Sequence, residues 1–231
     1  PLVRSRSIGP QLGIENLFFK LEMVNPTGSY KDRFAASAIS DMLAQGKTHC
    51  VATSSGNTGA ALAGYCASAG IHCQIGIVEG APTGKLSQML AYGAQLCRVR
   101  GFGTDPETSV QVFETLSELG QRPEAALQVS AFRYSPRGMS GVQTLGYELV
   151  EQAEMPVDHV FCPAGGGGLT VAVARGCREL ASEQGISPAK VHCVQPEGND
   201  TISSPLRNGD LQGRDVDCTT KVSGLQVANV I

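Results

Sequence analysis

The stretch His49-Cys-Val-Ala-Thr-Ser-Ser-Gly-Asn-Thr-Gly-Ala-Ala-Leu-Ala63 decides the fold. Its beginning is a short apolar run typical of a buried strand, and its end starts an Ala-rich helical pattern. The tight, glycine-containing turn Thr53-Ser-Ser-Gly-Asn-Thr-Gly59 joins the two. Strand, turn and helix in this order form the unit from which parallel sheets are built, so the stretch predicts an α/β fold.

The same alternation continues along the chain in both directions. Short runs rich in Val, Ile and Phe alternate with helical patterns that begin after Gly, Ser, Thr or Pro. The predicted strands are Asn16 to Glu22, His49 to Thr53, His72 to Val78, Gln95 to Val99, Ala126 to Ser130, Val157 to Cys162 and Val191 to Gln195. The predicted helices are Lys31 to Gln45, Asn57 to Ala69, Lys85 to Tyr92, Pro106 to Leu119, Met139 to Gln152 and Gly168 to Gln184. Functional residues are expected in the loops after the strands, where doubly wound folds bind their ligands.

The composition limits the kind of molecule that this protein is expected to bind. The 231 residues are 42% hydrophobic and 17% charged, which suits one large globular domain or two small ones. A formal net charge of -3 provides no excess of Lys and Arg for binding nucleic acid or anionic lipid. No apolar run approaches the roughly 18 residues of a membrane span, and no signal peptide pattern is present. We therefore expect a cytoplasmic protein that acts on a small molecule, with no nucleic-acid or membrane partner.

The eight cysteines are expected to be free thiols in a reducing compartment. Their positions contain no CxxC and no close pair suited to a metal, so no metal site is predicted. Cys50, Cys162 and Cys193 lie in apolar runs, where a reduced cysteine behaves as a small hydrophobic residue.

A first unusual turn, Asn25-Pro-Thr-Gly-Ser-Tyr-Lys-Asp-Arg33, delivers the chain to a helix whose predicted cap is Ser29. Lys31 then lies in the first helical turn, where the amide dipoles favour an anion rather than a cation. A solvated surface lysine is the ordinary interpretation. The functional interpretation is that a cation so placed loses its proton readily and attacks a carbonyl carbon.

Two further turns have the character of anion sites. In the Thr53 to Gly59 turn, amides at the helix start form a nest for an anion, unless Ser55 or Asn57 simply caps the helix. In Pro163-Ala-Gly-Gly-Gly-Gly-Leu169, four glycines follow a predicted strand and open a helix. Without a Cβ, Gly165 to Gly168 allow several N–H groups to close on a phosphate.

Nucleotide motifs do not explain these turns. A dinucleotide fingerprint starting at Gly165 would require glycine where Thr170 stands. The run Gly80-Ala-Pro-Thr-Gly-Lys85 is one residue short of a P-loop and continues with Leu86 instead of Ser or Thr. A nucleophilic lysine together with a phosphate cradle instead matches pyridoxal 5'-phosphate (PLP), which carries an aldehyde and a phosphate on one ring.

These motifs, in this order, resemble the tryptophan-synthase-β-like (fold type II) PLP enzymes along essentially the whole chain. The resemblance extends to Pro1-Leu-Val3, Gly84-Lys-Leu-Ser-Gln-Met-Leu-Ala-Tyr-Gly-Ala94, Gly141-Val-Gln-Thr-Leu-Gly-Tyr-Glu148 and Gln195-Pro-Glu-Gly198. It implies two doubly wound α/β domains with parallel sheets and PLP in the cleft between them. The larger domain would comprise 1–45 and 133–231, the smaller, mobile one 46–132, and the enzyme would be a homodimer.

The resemblance also implies roles for individual residues. Lys31 would carry PLP as a Schiff base and later shuttle protons as general base. Asn57 would contact the ring hydroxyl, and Gly165, Gly166, Gly167 and Gly168 would bind the phosphate. The substrate carboxylate would bind at Ser54, Ser55, Gly56 and Thr58.

Within the family, the threonine synthase branch fits best. Thr27-Gly-Ser-Tyr-Lys-Asp-Arg33 and Ser223-Gly-Leu-Gln226 look most like threonine synthases, which convert O-phosphohomoserine to threonine and phosphate. This reaction requires a second anion site, for which Lys85 or Arg133 are candidates. The tetraglycine loop is instead the form associated with serine or threonine dehydratases. A cysteine-synthase-like β-replacement enzyme and a non-catalytic relative that binds PLP or an amino acid are also compatible with the motifs.

The ends suggest a piece of a longer chain. Pro1 is not an initiator Met, and the run from Ser223 to Ile231 stops without completing a helix or strand. The family's contact to the PLP ring nitrogen lies near the C-terminus of its members, and no residue of this sequence is assigned to it.

Overall fold

A computed structural model describes residues 1–81, 83–222 and 224–228. Ser223, the first residue of the Ser223 to Gln226 match, and the last three residues of the sequence lie outside the described part. The elements in chain order are β1 (Leu2–Arg4), α1 (Ile8–Gln11), β2 (Phe18–Lys20), α2 (Lys31–Ala44), β3 (His49–Thr53), α3 (Asn57–Ala69), β4 (His72–Ile77), α4 (Thr83–Ala91), β5 (Gln95–Arg98), α5 (Pro106–Gly120), β6 (Ala125–Gln128), α6 (Pro136–Gln152), β7 (His159–Pro163), α7 (Gly168–Gln184), β8 (Lys190–Val194) and α8 (Ser203–Asn208). Short 3-10 helices occupy Glu22–Val24 and Glu197–Asn199.

Parallel sheets confirm the predicted α/β class. A four-stranded sheet has the order β5-β4-β3-β6, and β7 pairs with β8 in a second parallel sheet. The four-stranded sheet lies wholly within 46–132, the predicted smaller domain, whereas the division into two domains stays a prediction.

The shortest elements were not predicted from the sequence. β1, α1 and α8 contain three, four and six residues, too few to repeat a strand or helix period. The predicted strand from Asn16 to Glu22 shortens to β2, which pairs antiparallel with β1. The helix predicted from Met139 begins three residues earlier, because Pro136 is well suited to a first helical position.

Small residues allow the helices of the core to pack closely together. The buried face of α3 consists of Gly59, Ala60, Ala61, Leu62, Ala63 and Cys66, which lets this helix lie close to α2 and to the four-stranded sheet. A Cβ on Gly141 of α6 would stand 2.3 Å from the Arg33 carbonyl oxygen of α2. A Cβ on Gly146 would stand 2.6 Å from the Val173 carbonyl oxygen of α7. Helix α6 therefore uses glycines to touch the backbones of both neighbouring helices.

A partly buried ion network fixes the start of α2. Arg33 donates to both oxygens of Glu22 and of Glu148, at distances of 2.7 to 2.8 Å. Lys20 of β2 also donates to Glu148. The hydrogen bonds from Arg33 lower the pKa of Glu148 to about 2, which keeps this carboxylate ionised. The network ties β2, the 3-10 turn after it, α2 and α6 into one unit.

In the part of the chain that the structure describes, no helix is both long and apolar enough to cross a membrane.

We predict that Gly146→Ala destabilises the protein by about 1 to 3 kcal/mol, because the new methyl group must push α6 away from α7. Thermal and urea unfolding measure this change. Gly84→Ala is the matched control, since a Cβ there meets nothing within 4 Å, and it should leave stability unchanged or raise it by up to about 1 kcal/mol. Equal stability of Gly146→Ala and the parent would contradict the close helix contact.

Candidate active site

Lys31 is the first residue of α2, and its side chain reaches the end of a distant strand. Its Nζ donates a hydrogen bond to Ser130 Oγ and stands 4.7 Å from the centre of the Tyr30 ring. Ser130 lies two residues beyond Gln128, the last residue of β6. The amine is thus held beside the carboxyl edge of the four-stranded sheet.

A buried carboxylate holds the turn that presents Lys31. Asp32 is 2% exposed and accepts hydrogen bonds from Thr27 N at 2.9 Å, Thr27 Oγ1 at 2.8 Å and Ser29 N at 3.4 Å. The N-cap residue of α2 is Tyr30, not Ser29 as predicted, although Ser29 Oγ accepts a bond from Lys31 N at 3.2 Å. Asp32 supplies the negative charge that the helix start favours, next to the lysine.

The start of α3 is open to an anion. Its N-cap residue is Gly56, which has no side chain, so the alternative of a cap by Ser55 or Asn57 is wrong. Ser54 Oγ accepts from Gly56 N at 3.2 Å and shapes the turn. Asn57 is exposed and is the first helical residue. The first amides of a helix lack partners within it, so those of α3 are available to a ligand.

The tetraglycine loop forms a second open helix start. Gly167 is the N-cap residue of α7 and has a φ of 78°, a left-handed conformation that favours glycine. Gly168 begins α7. A Cβ on Gly168 would stand 3.1 Å from Met139 Cε and 4.0 Å from the Ser130 carbonyl oxygen. The loop therefore lies against the same residue that holds Lys31.

Gln195 fixes the other side of the tetraglycine loop. Its Nε2 donates to the Gly165 carbonyl oxygen at 3.0 Å and to Thr201 Oγ1 at 2.9 Å. Its Oε1 accepts from the amides of Ile202 and Ser203 at 2.7 and 2.9 Å. All four bonds of this amide are used, so the side chain acts as a rigid brace between the loop and the start of α8.

Ser130 is the point where the three predicted regions meet. Ala52 of β3 pairs with Gln128 of β6, so Ser54 and Ser130 leave neighbouring strands at the same edge, two residues beyond the pair. Neighbouring strands lie about 4.8 Å apart. Ser130 thus follows the strand next to the Ser54 turn, accepts a hydrogen bond from Lys31, and has its carbonyl oxygen 4.0 Å from where a Cβ on Gly168 would stand. Between Lys31 and the Ser54 to Thr58 turn, the described residues form no direct hydrogen bond.

The whole chain matches one family of enzymes. The family described as "Pyridoxal-phosphate dependent enzyme" matches residues 1–230. The chain belongs to this family. Its membership confirms PLP as the predicted cofactor.

Relatives and solved structures agree with this assignment. The chain is 32% identical to a threonine synthase of Bacillus sp. (strain ULM1) over 199 residues, which are 86% of this chain and 54% of that protein. It therefore spans about half the length of this curated relative. Among solved structures, a threonine deaminase from T.th. has a TM-score of 0.81 at 27% identity and serine racemase from Dictyostelium discoideum one of 0.80 at 27% identity. Each covers 100% of this chain, which in turn covers 70% and 69% of theirs. These likenesses confirm the predicted fold type II architecture.

The site residues fit PLP. A primary amine suits the aldehyde, and a Cβ on Gly166 would meet only Val227 Cγ1, at 3.6 Å, so the loop has space there that a side chain would fill.

Sequence reasoning missed three residues that position the site, namely Asp32, Ser130 and Gln195. Ser130 is the last residue of a predicted strand, and its role depends on a contact with a lysine 99 residues away. Gln195 enters the sequence analysis only as the first residue of a family motif. Asp32 could have been identified from the chemistry, since an acidic residue beside Lys31 suits a helix start.

We predict that Gly166→Val weakens PLP affinity about tenfold or more, which corresponds to about 1.4 kcal/mol, while the apoprotein keeps its stability. A Cβ at Gly166 would meet only Val227 Cγ1, at 3.6 Å, so the substitution mainly obstructs the approach of an anion. Fluorescence titration with PLP and thermal unfolding measure the two effects.

Gly167→Val is a poorer test of the same loop. The φ of Gly167 is positive and its Cβ would stand 2.8 Å from Ile202 Cδ1, so folding would suffer as well. Gly80→Val is the control for Gly166→Val, because a Cβ on Gly80 meets nothing within 4 Å. Unchanged PLP affinity in Gly166→Val would refute the phosphate loop.

Proposed function

We propose that this chain is the catalytic part of a PLP-dependent lyase of the threonine synthase type, which converts O-phosphohomoserine to threonine and phosphate. The observation that carries the proposal is the position of Lys31 Nζ, held by Ser130 beside two open helix starts. The start of α7 suits the cofactor phosphate, and the start of α3 suits a substrate carboxylate. The similarity to the threonine synthase of Bacillus sp. supports the choice of branch.

Three groups of residues would hold the cofactor. Lys31 would bind its aldehyde carbon covalently, Asn57 would contact its ring hydroxyl, and Gly165, Gly166, Gly167 and Gly168 would surround its phosphate. The loop geometry supports this arrangement, because Gln195 braces the loop from one side and Met139 lies against it on the other. When bound, PLP supplies an electron sink for the reaction at the substrate's Cα.

Lys31 would act as the general base once substrate is bound. Its amine would take the proton from Cα and return protons later in the reaction. Ser130 Oγ accepts from Nζ and so restricts where the amine points, which favours one direction of proton transfer. Asp32 would act through the backbone, since it holds the turn rather than the amine itself.

The amino-acid carboxylate would bind at the turn before α3. Ser54, Ser55, Gly56 and Thr58 surround the first amides of that helix. Backbone N–H groups and the helix dipole together favour a negatively charged group at this position.

Lys85 is the better candidate for the second anion site. It lies in the first turn of α4, and its Nζ donates to Gln88 Oε1 at 3.4 Å. Gln88 Nε2 in turn donates to the Thr27 carbonyl oxygen at 3.1 Å, in the turn that presents Lys31. Arg133 is exposed and stacks on Tyr134, with 5.7 Å between Cζ and the ring centre. Lys85 is thus connected to the site through one side chain.

A serine or threonine dehydratase is the second candidate. The tetraglycine loop favours it, and so does the similarity to the threonine deaminase from T.th.. A dehydratase requires proton removal at Cα and loss of a β hydroxyl, but no second anion site. A β-replacement enzyme and a non-catalytic relative are further candidates with less support. The homodimer and the cytoplasmic location remain predictions.

We predict that borohydride treatment of the PLP-loaded protein attaches the cofactor to Lys31. Peptide mapping by mass spectrometry locates the modified lysine. Lys20, Lys47 and Lys85 serve as internal controls, because their amines donate to Glu148, Pro123 and Gln88, respectively, and not to Ser130. A label on any of these three, with Lys31 unmodified, would reject the assignment.

A paired assay on one preparation of the protein distinguishes the branches. We expect phosphate release and threonine formation from O-phosphohomoserine to exceed 2-oxo acid formation from threonine or serine by at least about tenfold, a difference of about 1.4 kcal/mol in barrier height. Lys31→Ala should abolish both activities, which ties them to this site. If 2-oxo acid formation dominates, the dehydratase candidate replaces the synthase. If neither product forms while PLP binds normally, the β-replacement enzyme and the non-catalytic relative are the candidates left, and product formation on addition of sulfide distinguishes the first from the second.

A further inference from the structure

Three cysteine side chains meet in the core, away from the Lys31 site. Cys50 of β3, Cys66 of α3 and Cys73 of β4 bring their Sγ atoms within 4.8 Å of one another. All three residues are buried. They come from three separate elements, so no sequence motif marks the cluster, and the sequence analysis predicted no metal site.

The sheet register explains why the three cysteine side chains lie close together. Cys50 and Cys73 are direct partners in the parallel ladder between β3 and β4, so both side chains point to the same face of the sheet. Helix α3 covers this face and contributes Cys66 from its buried side. Because strands and helix are fixed by the surrounding core, the three sulfur atoms are held in place rather than gathered by a flexible loop.

We propose that Cys50, Cys66 and Cys73 form a binding site for a thiophilic monovalent cation of the Cu(I) class. Soft thiolate ligands select Cu(I), zinc and iron–sulfur clusters over harder ions. Structural zinc sites almost always have four ligands, whereas this group of described residues provides three. A soft cation that binds three ligands matches the three cysteines of this cluster.

The distances are compatible with coordination. With a metal–sulfur distance of about 2.3 Å, as in zinc thiolates, three sulfur atoms around a central ion lie about 4 Å apart. The Sγ–Sγ distances, which are at most 4.8 Å in the structure, would therefore have to shorten by less than about 1 Å when the ion binds. A rotamer adjustment of one cysteine is sufficient for such a change.

Metal ions are bound by thiolates rather than by thiols, so coordination of an ion by the three cysteines would release their protons to the solvent. The affinity for the ion is therefore expected to rise with pH.

A cavity provides the route to the cluster. Its volume is about 410 Å³, and it is lined by the three cysteines together with His49, His72 and Gln95. His49 and His72 are exposed, and their rings stack with 4.9 Å between centres. An ion would enter past these imidazoles, which are themselves ligands for copper.

The site would stabilise the fold rather than take part in the reaction. It would cross-link β3, α3 and β4, whereas the turn before α3 that we assign to the substrate lies at the opposite end of that helix. A ligand that binds the folded chain and not the unfolded one raises the free energy of unfolding. Because it depends on none of the PLP-site residues, this proposal can fail or succeed independently of the proposed function.

The test is an anaerobic titration of the reduced, PLP-loaded protein, freed of excess PLP, with Cu(I) buffered by a chromogenic Cu(I) chelator. We expect one Cu(I) per chain and a rise of the unfolding midpoint by roughly 5 °C or more. Cys66→Ser should lose this binding. The double variant Cys162→Ser, Cys177→Ser is the matched control, since both of these thiols are buried elsewhere, and it should bind as the parent does.

A second measurement covers the case in which Cys66→Ser does not fold. The parent is alkylated with iodoacetamide in urea near its unfolding midpoint, where buried thiols become accessible, with and without one equivalent of Cu(I), and the cysteines protected only in the presence of Cu(I) are mapped. Protection of Cys50, Cys66 and Cys73 supports the proposal. Protection confined to Cys97, Cys193 or Cys218, failure to bind Cu(I) in competition with the chelator, or equal binding by a folded Cys66→Ser would overturn it.

Discussion

The burial of the Asp32 carboxylate is the constraint on which the site depends. A carboxyl group at 2% exposure requires hydrogen-bond partners, and the donors are the backbone and hydroxyl of Thr27 and the amide of Ser29. These bonds close the turn onto the first residues of α2, so the direction of the helix start follows from them. Arg33, one residue later, attaches the same turn to Glu22 and Glu148. Lys31 lies next to both anchored residues and is oriented by them.

A second feature of the structure is that its helices touch one another and the sheet at glycines and alanines, so that backbone atoms rather than large side chains form the contacts. Helix α6 touches α2 and α7 through glycines, and α3 meets the sheet through alanines. Close backbone contact leaves little freedom for one helix to slide past another, since interiors are packed nearly as densely as crystals of small molecules. The open helix starts of α3 and α7 are therefore carried on rigid supports. An anion bound at either start meets amides that are already in position.

The sequence predicted the helices of nine or more residues and the strands of four or more, because elements of that length repeat the period of a helix or strand. The bounds of β3, α3 and α7 agree with prediction at both ends. The glycine turns and Lys31 could be proposed as site residues from the sequence because their pattern is local and lies within a few residues, and these roles stay predictions. Contacts between distant residues were not accessible in the same way. Ser130, Gln195 and the three clustered cysteines acquire their roles only from strand register and helix packing, which a single sequence does not specify.

The order β5-β4-β3-β6 has a consequence for how the chain is made. The strand beside β3 on the Ser130 side is the last of its sheet to be synthesised, and the lysine and its serine partner are 99 residues apart. On the ribosome, where folding proceeds from the N-terminus, α2 emerges long before the residues that orient its first amine. The glycine loop emerges later still. A nascent chain therefore exposes Lys31 before Ser130 and the glycine loop are in place, and closing these long loops carries an entropic cost that only the completed core offsets.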